Sequence, residues 1–270
     1  MSRPHSTRYT VAALLLLGLA VVVLVSLGQW QMRRSDERRA ILAAIEAGRK
    51  QAPLLLTPAT PPANMTPWRV AQASGTWLPQ FSVLLDNRNH DGRPGYWLAT
   101  PLLLDAATNR AVLVLRGWLP RVIQGQGEPQ LPATPEGMQT VQGELSVRVP
   151  RLFELWSLGG ADASALPAAL PVAGGAVPQV QNLPLDDYAR ATGLNLLPTV
   201  LSQSGQVDDG LVRNWPQPSV DFQQNTSYAV QWFAFGAIAA IAWLVVLGGA
   251  IRRRRQRVDQ QAQARMRARR

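Results

Sequence analysis

Two stretches of the chain lack charged side chains over a length that would cross a membrane, and the pattern between them is that of short strands. Residues 9–30, YTVAALLLLGLAVVVLVSLGQW, and 228–251, YAVQWFAFGAIAAIAWLVVLGGAI, contain no Asp, Glu, Lys, Arg or His. At about 1.5 Å rise per residue, an α-helix over the second stretch spans roughly 36 Å, against a hydrocarbon core of about 30 Å. Tyr9 and Trp30 end the first stretch. Tyr228, Trp232 and Phe233 open the second, and Arg252, Arg253, Arg254 and Arg255 follow it. This is the aromatic belt and cationic clamp of a spanning helix. The first stretch competes with a secretory signal, because Arg3 and Arg8 precede it. No small-residue cleavage site follows Val25 and the apolar run is long, so the pattern predicts an uncleaved anchor.

The helical pattern continues through residues 31–50, where Ile41, Leu42 and Ile45 form a short apolar stripe and Gly48 is a natural stop. Residues 53–67, rich in Pro, Thr and Ala, read as a connector. From 68 to 149 the period is that of strands. Apolar runs at 83–85, 96–104 and 111–115 are separated by Asn/Asp/Gly punctuation at 87–95 and 105–110, and 136–150 adds a further strand. Residues 158–178 are mostly Gly, Ala, Pro and Ser, a composition that buries little and predicts a flexible insertion. A short helix at 186–192 with Gly193 as its C′ residue, a strand near 198–202 and a turn at Asp208–Gly210 complete the middle. The predicted class is membrane α + β: two transmembrane helices, 9–30 and 228–251, bracketing a β-rich domain, 31–227, built as an antiparallel meander or partly closed sheet.

Charge sets the expected orientation. The net +10 is terminal: residues 1–9 carry two Arg, residues 252–270 carry nine Arg and one Asp, and the remaining 16 basic and 16 acidic side chains cancel. By the positive-inside rule both termini are cytoplasmic, and residues 31–227 lie in the periplasm or its organellar equivalent. The Arg-rich tail lacks interleaved aromatics, so it reads as a topology and anionic-lipid signal, with no nucleic-acid partner.

Little else points to chemistry. There is no cysteine and only two histidines, His5 and His90, so a Cys-ligated metal is excluded and a His-based one is poorly supplied. His90 sits in a turn-like NRNHDG and reads as a solvated loop residue. The adjacent pairs Asp186–Asp187 and Asp208–Asp209 suit a helix start and a turn, because neighbours on one element do not converge on one atom. No nucleophile elbow, phosphate loop or dinucleotide fingerprint is present. The remaining signal is aromatic and cationic. Trp30, Gln31 and Arg34 close the first stretch, and Arg213, Trp215, Tyr228, Gln231 and Trp232 lead into the second. Paired helices would bring these together at the outer membrane face. Interfacial anchoring accounts for Trp and Tyr there, but less well for Arg34 and Arg213, which the positive-inside rule disfavours on that side. Small residues at 234, 236, 237, 239, 240 and 242 suit close helix packing.

These residues carry a resemblance. LGQWQMRR (27–34) is similar to the block that closes the first span of the SURF1 family; DNRNHDGRPGYWLATPLLL (86–104) and VLVLRGWLP (112–120) resemble its central blocks, and RNWP (213–216) with YAVQWFAF (228–235) its closing block. The resemblance implies a non-enzymatic assembly factor for haem–copper oxidases of the cytochrome c oxidase type in the bacterial inner membrane. It implies the nascent catalytic subunit and other assembly factors as partners, and a part in haem a delivery or insertion. By matched position it implies Trp30, Gln31, Arg34, Arg116, Gly117, Trp118, Tyr228, Gln231 and Trp232 as binding residues. The family pattern has a His three residues before the Tyr of the closing block, a natural axial ligand for transient haem a. Here Asn225 stands there, and Leu115 precedes the RGW block where Asn is common. The alternative classes are a two-span sensor or scaffold, which would need a folded cytoplasmic output domain, and a membrane enzyme, which would need a convergent acid/base set.

Overall fold

The computed structural model describes residues 7–122, 129–152, 166–205 and 207–267. The chain separates into two compact units, Met1–Leu42 with Pro218–Arg270, and Ala43–Gln217. The first is a helix pair and the second a β domain.

The helix pair comprises α1 (Thr7–Lys50), whose last residues belong to the β domain, and α3 (Phe222–Arg267). Both are long and apolar enough to cross a membrane. Their contacts run in opposite directions along the two helices, so they pack antiparallel. Trp243 donates its indole N–H to the Leu14 carbonyl at 2.9 Å, which gives a polar group on an apolar helix the partner it needs. Gly236 faces Leu24 and Val25. A Cβ at Gly28 would sit 2.6 Å from the Phe233 ring, so the aromatic seats in the space that glycine leaves. Ser35, fully buried, meets Thr226 hydroxyl to hydroxyl at 2.9 Å. The outward residues Leu15, Leu16, Leu19, Ile238, Ile241, Leu244 and Val245 remain exposed.

The β domain contains β1 (Leu54–Leu56), β2 (Val70–Trp77), β3 (Val83–His90), β4 (Arg93–Asp105), β5 (Arg110–Pro120), β6 (Met138–Ser146), β7 (Gln179–Val180), α2 (Leu185–Thr192) and β8 (Asn195–Gln203). The strand order is β1-β2-β6-β8-β5-β4-β3-β7, and β2 also pairs with β4 through Thr76–Leu103 and Trp77–Leu102. That last pairing closes β2, β6, β8, β5 and β4 into a barrel-like ring. Its interior is filled from all five strands, by Ala71, Ala73, Trp77, Leu102, Val112, Val114, Val141, Leu145, Leu197 and Leu201. A second cluster covers the outer face, with Leu85, Trp97, Leu113 and Leu115 under Tyr188 and Ala191 of α2. β4 and β5 are therefore buried on both faces, which is why their sequences are unbroken apolar runs. Tyr188 is fully buried and donates to the Phe81 carbonyl; burial pushes its phenol pKa up.

The β-rich domain between two apolar helices is as expected, but the meander is not purely antiparallel. Three pairings are parallel: β1–β2, β3–β7 and β5–β8. Between β5 and β8 the chain makes β6, β7 and α2 before returning alongside, and parallel partners need such a crossover. The 53–67 connector holds β1 and a 3-10 turn at Pro62–Asn64. Gly48 does not stop α1; a Cβ there would lie 2.3 Å from the Pro67 carbonyl, so its role is close approach. The 87–95 punctuation is mostly strand. Asn87, at φ 58°, marks a register shift in β3, and only Asp91 and Gly92 form the turn. His90 ends β3 and its ring lies 5.2 Å from Trp118. Of the predicted insertion, 158–165 lies outside the described residues. In the described remainder Leu170 is buried and Leu166 and Val172 pack on the outer cluster, so the stretch adds to the core.

Two measurements check this packing. The chain has no cysteine of its own, so a Ser35→Cys, Thr226→Cys double variant is expected to cross-link within one chain on mild oxidation, seen as a shift on non-reducing gels. Adding Gly28→Leu is expected to lower that yield severalfold, and an unchanged yield contradicts the pairing. Tyr188→Phe removes one buried hydrogen bond and is expected to cost about 1 kcal/mol in denaturant unfolding.

Candidate functional site

At one end of the helix pair the polar residues that follow the apolar stretch of α1 face those that precede it on α3. A cleft of about 440 Å³ is lined by Trp30, Gln31, Arg34 and Arg38 of α1 and by Gln224, Asn225 and Tyr228 of α3. Three of the helix-pair candidates, Trp30, Gln31 and Arg34, thus meet Tyr228. Trp30 and Tyr228 remain half-exposed, at 50% and 45%. Gln231 is exposed and Trp232 packs edge-on against Phe235 at 6.3 Å; neither lines the cleft.

The polar groups here are unevenly satisfied. Asn225 donates its amide to Gln31 Oε1 at 2.6 Å, while its own Oδ1 is buried without a partner. A buried unmatched acceptor costs about 1–3 kcal/mol, so this oxygen is primed for a donor. Arg34 pairs with Glu37 at 3.0 Å, but both side chains are more than half exposed, and such pairs contribute about 0–1 kcal/mol. The Arg34 guanidinium is therefore available at little cost. Arg38 donates to the Asp221 carbonyl at 2.6 Å, and Arg39 lies 4.8 Å from the Phe222 ring centroid. Ser35, Arg38, Gln224 and Thr226 were not singled out from sequence. For Ser35 the signal is spacing, since Gly28, Gln31 and Ser35 fall three and four apart on one helical face; for Gln224 and Thr226 it is tertiary.

For haem a as cargo, the cleft's donor set is the deciding feature. It contains indole, amide, guanidinium and phenol, and no imidazole, thiolate or thioether. The Tyr228 hydroxyl is the one lining group with precedent as a haem-iron ligand, and Arg34 and Arg38 could hold carboxylates. The amide at position 225 is a hydrogen-bonding group and does not replace an axial His. Among the described residues no group of three or more His, Asp or Glu could hold a metal ion.

The other five candidates belong to the β domain and are largely buried. β5 makes a register shift against β4, where Leu98 pairs with Gly117 and Ala99 with Leu115, leaving Arg116 as the extra residue. The bulge turns Arg116 inward, where it is 2% exposed, with its Cζ 5.2 Å from the Trp77 ring centroid. Gly117, at φ 157°, has no room for a side chain, since a Cβ would lie 2.7 Å from Leu211. Trp118 is 7% exposed and donates its indole N–H to the Arg88 carbonyl at 2.6 Å. Its ring occupies the space beside Gly95, where a Cβ would meet it at 2.4 Å. Its backbone exchanges hydrogen bonds with Val212 at 2.7 and 2.9 Å. Trp215 donates to the Gln203 carbonyl at 2.8 Å and meets Trp97 edge-on at 5.3 Å.

Three buried arginines, Arg88, Arg116 and Arg213, lie among the described residues of this region. Arg88 lies 4.5 Å from the Trp97 ring centroid and donates to the Gln181 carbonyl; burial pulls its pKa down to about 10, opposed by Asp86. Arg116 and Arg213 share Asp209 Oδ2, at 3.7 and 2.5 Å. Burial lowers the Arg116 pKa, Asp209 opposes it and Arg213 adds to it. The turn expected at Asp208–Gly210 places Asp209 between two arginines, a tertiary arrangement that no local pattern carries.

Known proteins were compared with this chain. A SURF1-like protein of Rickettsia felis is 30% identical over 105 residues, covering 37% of this chain and 43% of its own length. An uncharacterized SURF1-like protein of Mycobacterium bovis is 26% identical over 249 residues, covering 90% of this chain and 85% of its own. The cytochrome oxidase assembly protein SHY1 of Saccharomyces cerevisiae is 30% identical over 95 residues, covering 34% and 24% respectively. The family model described as SURF1 family matches residues 18–237, from within α1 through the Trp232 region of α3. The chain belongs to the SURF1 family.

Proposed function

We propose that this chain is a two-span membrane protein that assists assembly of a haem–copper oxidase of the cytochrome c oxidase type. The observation that carries the membrane part is the row of exposed Leu, Ile and Val on the outward faces of both apolar helices. Water penalises such surface and lipid does not. The terminal arginines then orient the pair with both ends in the cytoplasm of a bacterium and the β domain in the periplasm. The relative named as an oxidase assembly protein supports the assembly role.

In this reading the chain catalyses no reaction. It binds the nascent catalytic subunit and companion assembly factors through the cleft, where Trp30 and Tyr228 offer flat apolar contact and Arg34 a guanidinium held only by an exposed pair with Glu37. Asn225 Oδ1 would accept a hydrogen bond from the bound group. Haem a is a transient cargo held by contact and by its carboxylates, without an axial His at position 225.

The test is complementation of a deletion strain, read by reduced-minus-oxidised spectra of membranes and by oxidase turnover. The a-type haem signal and turnover are expected to fall on deletion and to return with the wild-type chain. A Trp30→Ala, Arg34→Ala double variant at equal membrane level is expected to restore less than half. Unchanged oxidase in the deletion strain contradicts the proposal.

A further inference from the structure

The Arg116–Asp209–Arg213 cluster of the β domain does not balance its charge. Both guanidinium side chains are more than nine-tenths buried, at 3% and 6% exposed, and Asp209 is 11% exposed. Arginine stays protonated in proteins, so two positive charges face one carboxylate. Among the described residues, every other hydrogen bond of the two guanidiniums goes to a neutral acceptor. Arg116 Nη1 donates to Thr134 Oγ1 at 3.0 Å, and Arg213 Nη1 reaches the Leu211 and Val207 carbonyls at 3.3 and 3.4 Å. Both Nε atoms are buried with no partner. The Trp77 ring beside Arg116 attracts a cation but supplies no charge. Asp208 is exposed and makes no ion pair among the described residues. Among the described residues one buried positive charge is left over, and such a charge is costly unless an anion joins it.

A cavity of about 910 Å³ lies beside the cluster, lined by Arg213 together with Ser204, Asp208, Leu211 and Asn214. We propose that the cluster is a carboxylate-binding site, with Arg213 as its accessible donor and Arg116 as its buried support. The excess is a single charge, which a monoanionic carboxylate neutralises and a dianion overshoots. A planar carboxylate also matches the fork of a guanidinium. At Arg213 it replaces the two long contacts from Nη1 to the Leu211 and Val207 carbonyls. The carboxylate comes from an acidic side chain of a partner protein or from a small organic acid. The site belongs to the β domain and does not depend on the oxidase reading.

The experiment uses the full chain in lipid nanodiscs, with melting temperature followed as acetate replaces chloride at constant ionic strength. Wild type is expected to rise by about 2–4 °C, the shift for a ligand several-fold above its Kd. Asp209→Asn doubles the uncompensated charge and is expected to rise further. Arg213→Gln cancels it and is expected to stay flat. Should Arg213→Gln not fold, the comparison of Asp209→Asn with wild type carries the test. A short polyglutamate peptide at equal carboxylate concentration separates the two sources. Stabilisation by the peptide alone assigns the site to a partner's acidic segment, and stabilisation by acetate assigns it to a free acid. Equal responses in all variants, or none to either probe, overturn the proposal.

Discussion

The β domain depends on one irregularity, the register shift that places Arg116, Gly117 and Trp118 at the end of β5. A regular strand would send alternate side chains to opposite faces without interruption. The extra residue instead points Arg116 to Asp209, lays Gly117 against Leu211 and hands Trp118 to the Arg88 carbonyl. Three separated sequence stretches are joined there: Arg88, Gly95 and Trp97 from the first, residues 116–118 from the second, and Val212, Arg213 and Trp215 from the third. Each is fixed by a neighbour contributed by another, so none can change alone without leaving a clash or an orphaned polar group.

The helix pair follows a different rule. Its contacts are made by close approach at Gly28 and Gly236 and by a few hydrogen bonds, Trp243 to Leu14, Asn225 to Gln31 and Ser35 to Thr226. Among apolar helices in lipid, small residues and polar pairs supply the specificity that burial from water supplies elsewhere. The residues at its polar end are less committed. Trp30 and Tyr228 stay half-exposed and one Asn225 oxygen has no partner. The β-domain blocks are buried and interlocked, with orphaned Nε atoms at Arg88, Arg116 and Arg213, whereas the cleft keeps Trp30 and Tyr228 half-exposed.

Much of the fold was legible because its signals are local. The two charge-free stretches announce α1 and α3, and the apolar runs announce β4 and β5. Gly193 announces the end of α2, where it takes up φ 68°. What stayed hidden is non-local. Nothing in the letters of β5 and β8 says that they pair in parallel, and the ring closure rests on two residue pairs between β2 and β4. The candidate residues were legible through resemblance, but letters do not distinguish an arginine that is buried, such as Arg116, from one that is available, such as Arg34. Asp209 looked like turn chemistry because its partners are distant in sequence or set by a bend. Gly48 looked like a stop because a glycine needed for close approach has the same letter as one needed for a turn.

The central claim is a division of labour: the cleft acts on the client, and the joined blocks of the β domain hold the fold. The most direct measurement is the ratio of a-type haem signal to the amount of this chain in the same membranes, across two variant sets. Gln31→Ala and Tyr228→Phe represent the cleft; Gly95→Ala and Trp118→Phe represent the blocks. The account predicts that the cleft variants lower the ratio at undiminished chain level. The block variants should lower chain and haem together and leave the ratio unchanged. Cleft variants that keep the wild-type ratio, with block variants that lose it, would contradict the account.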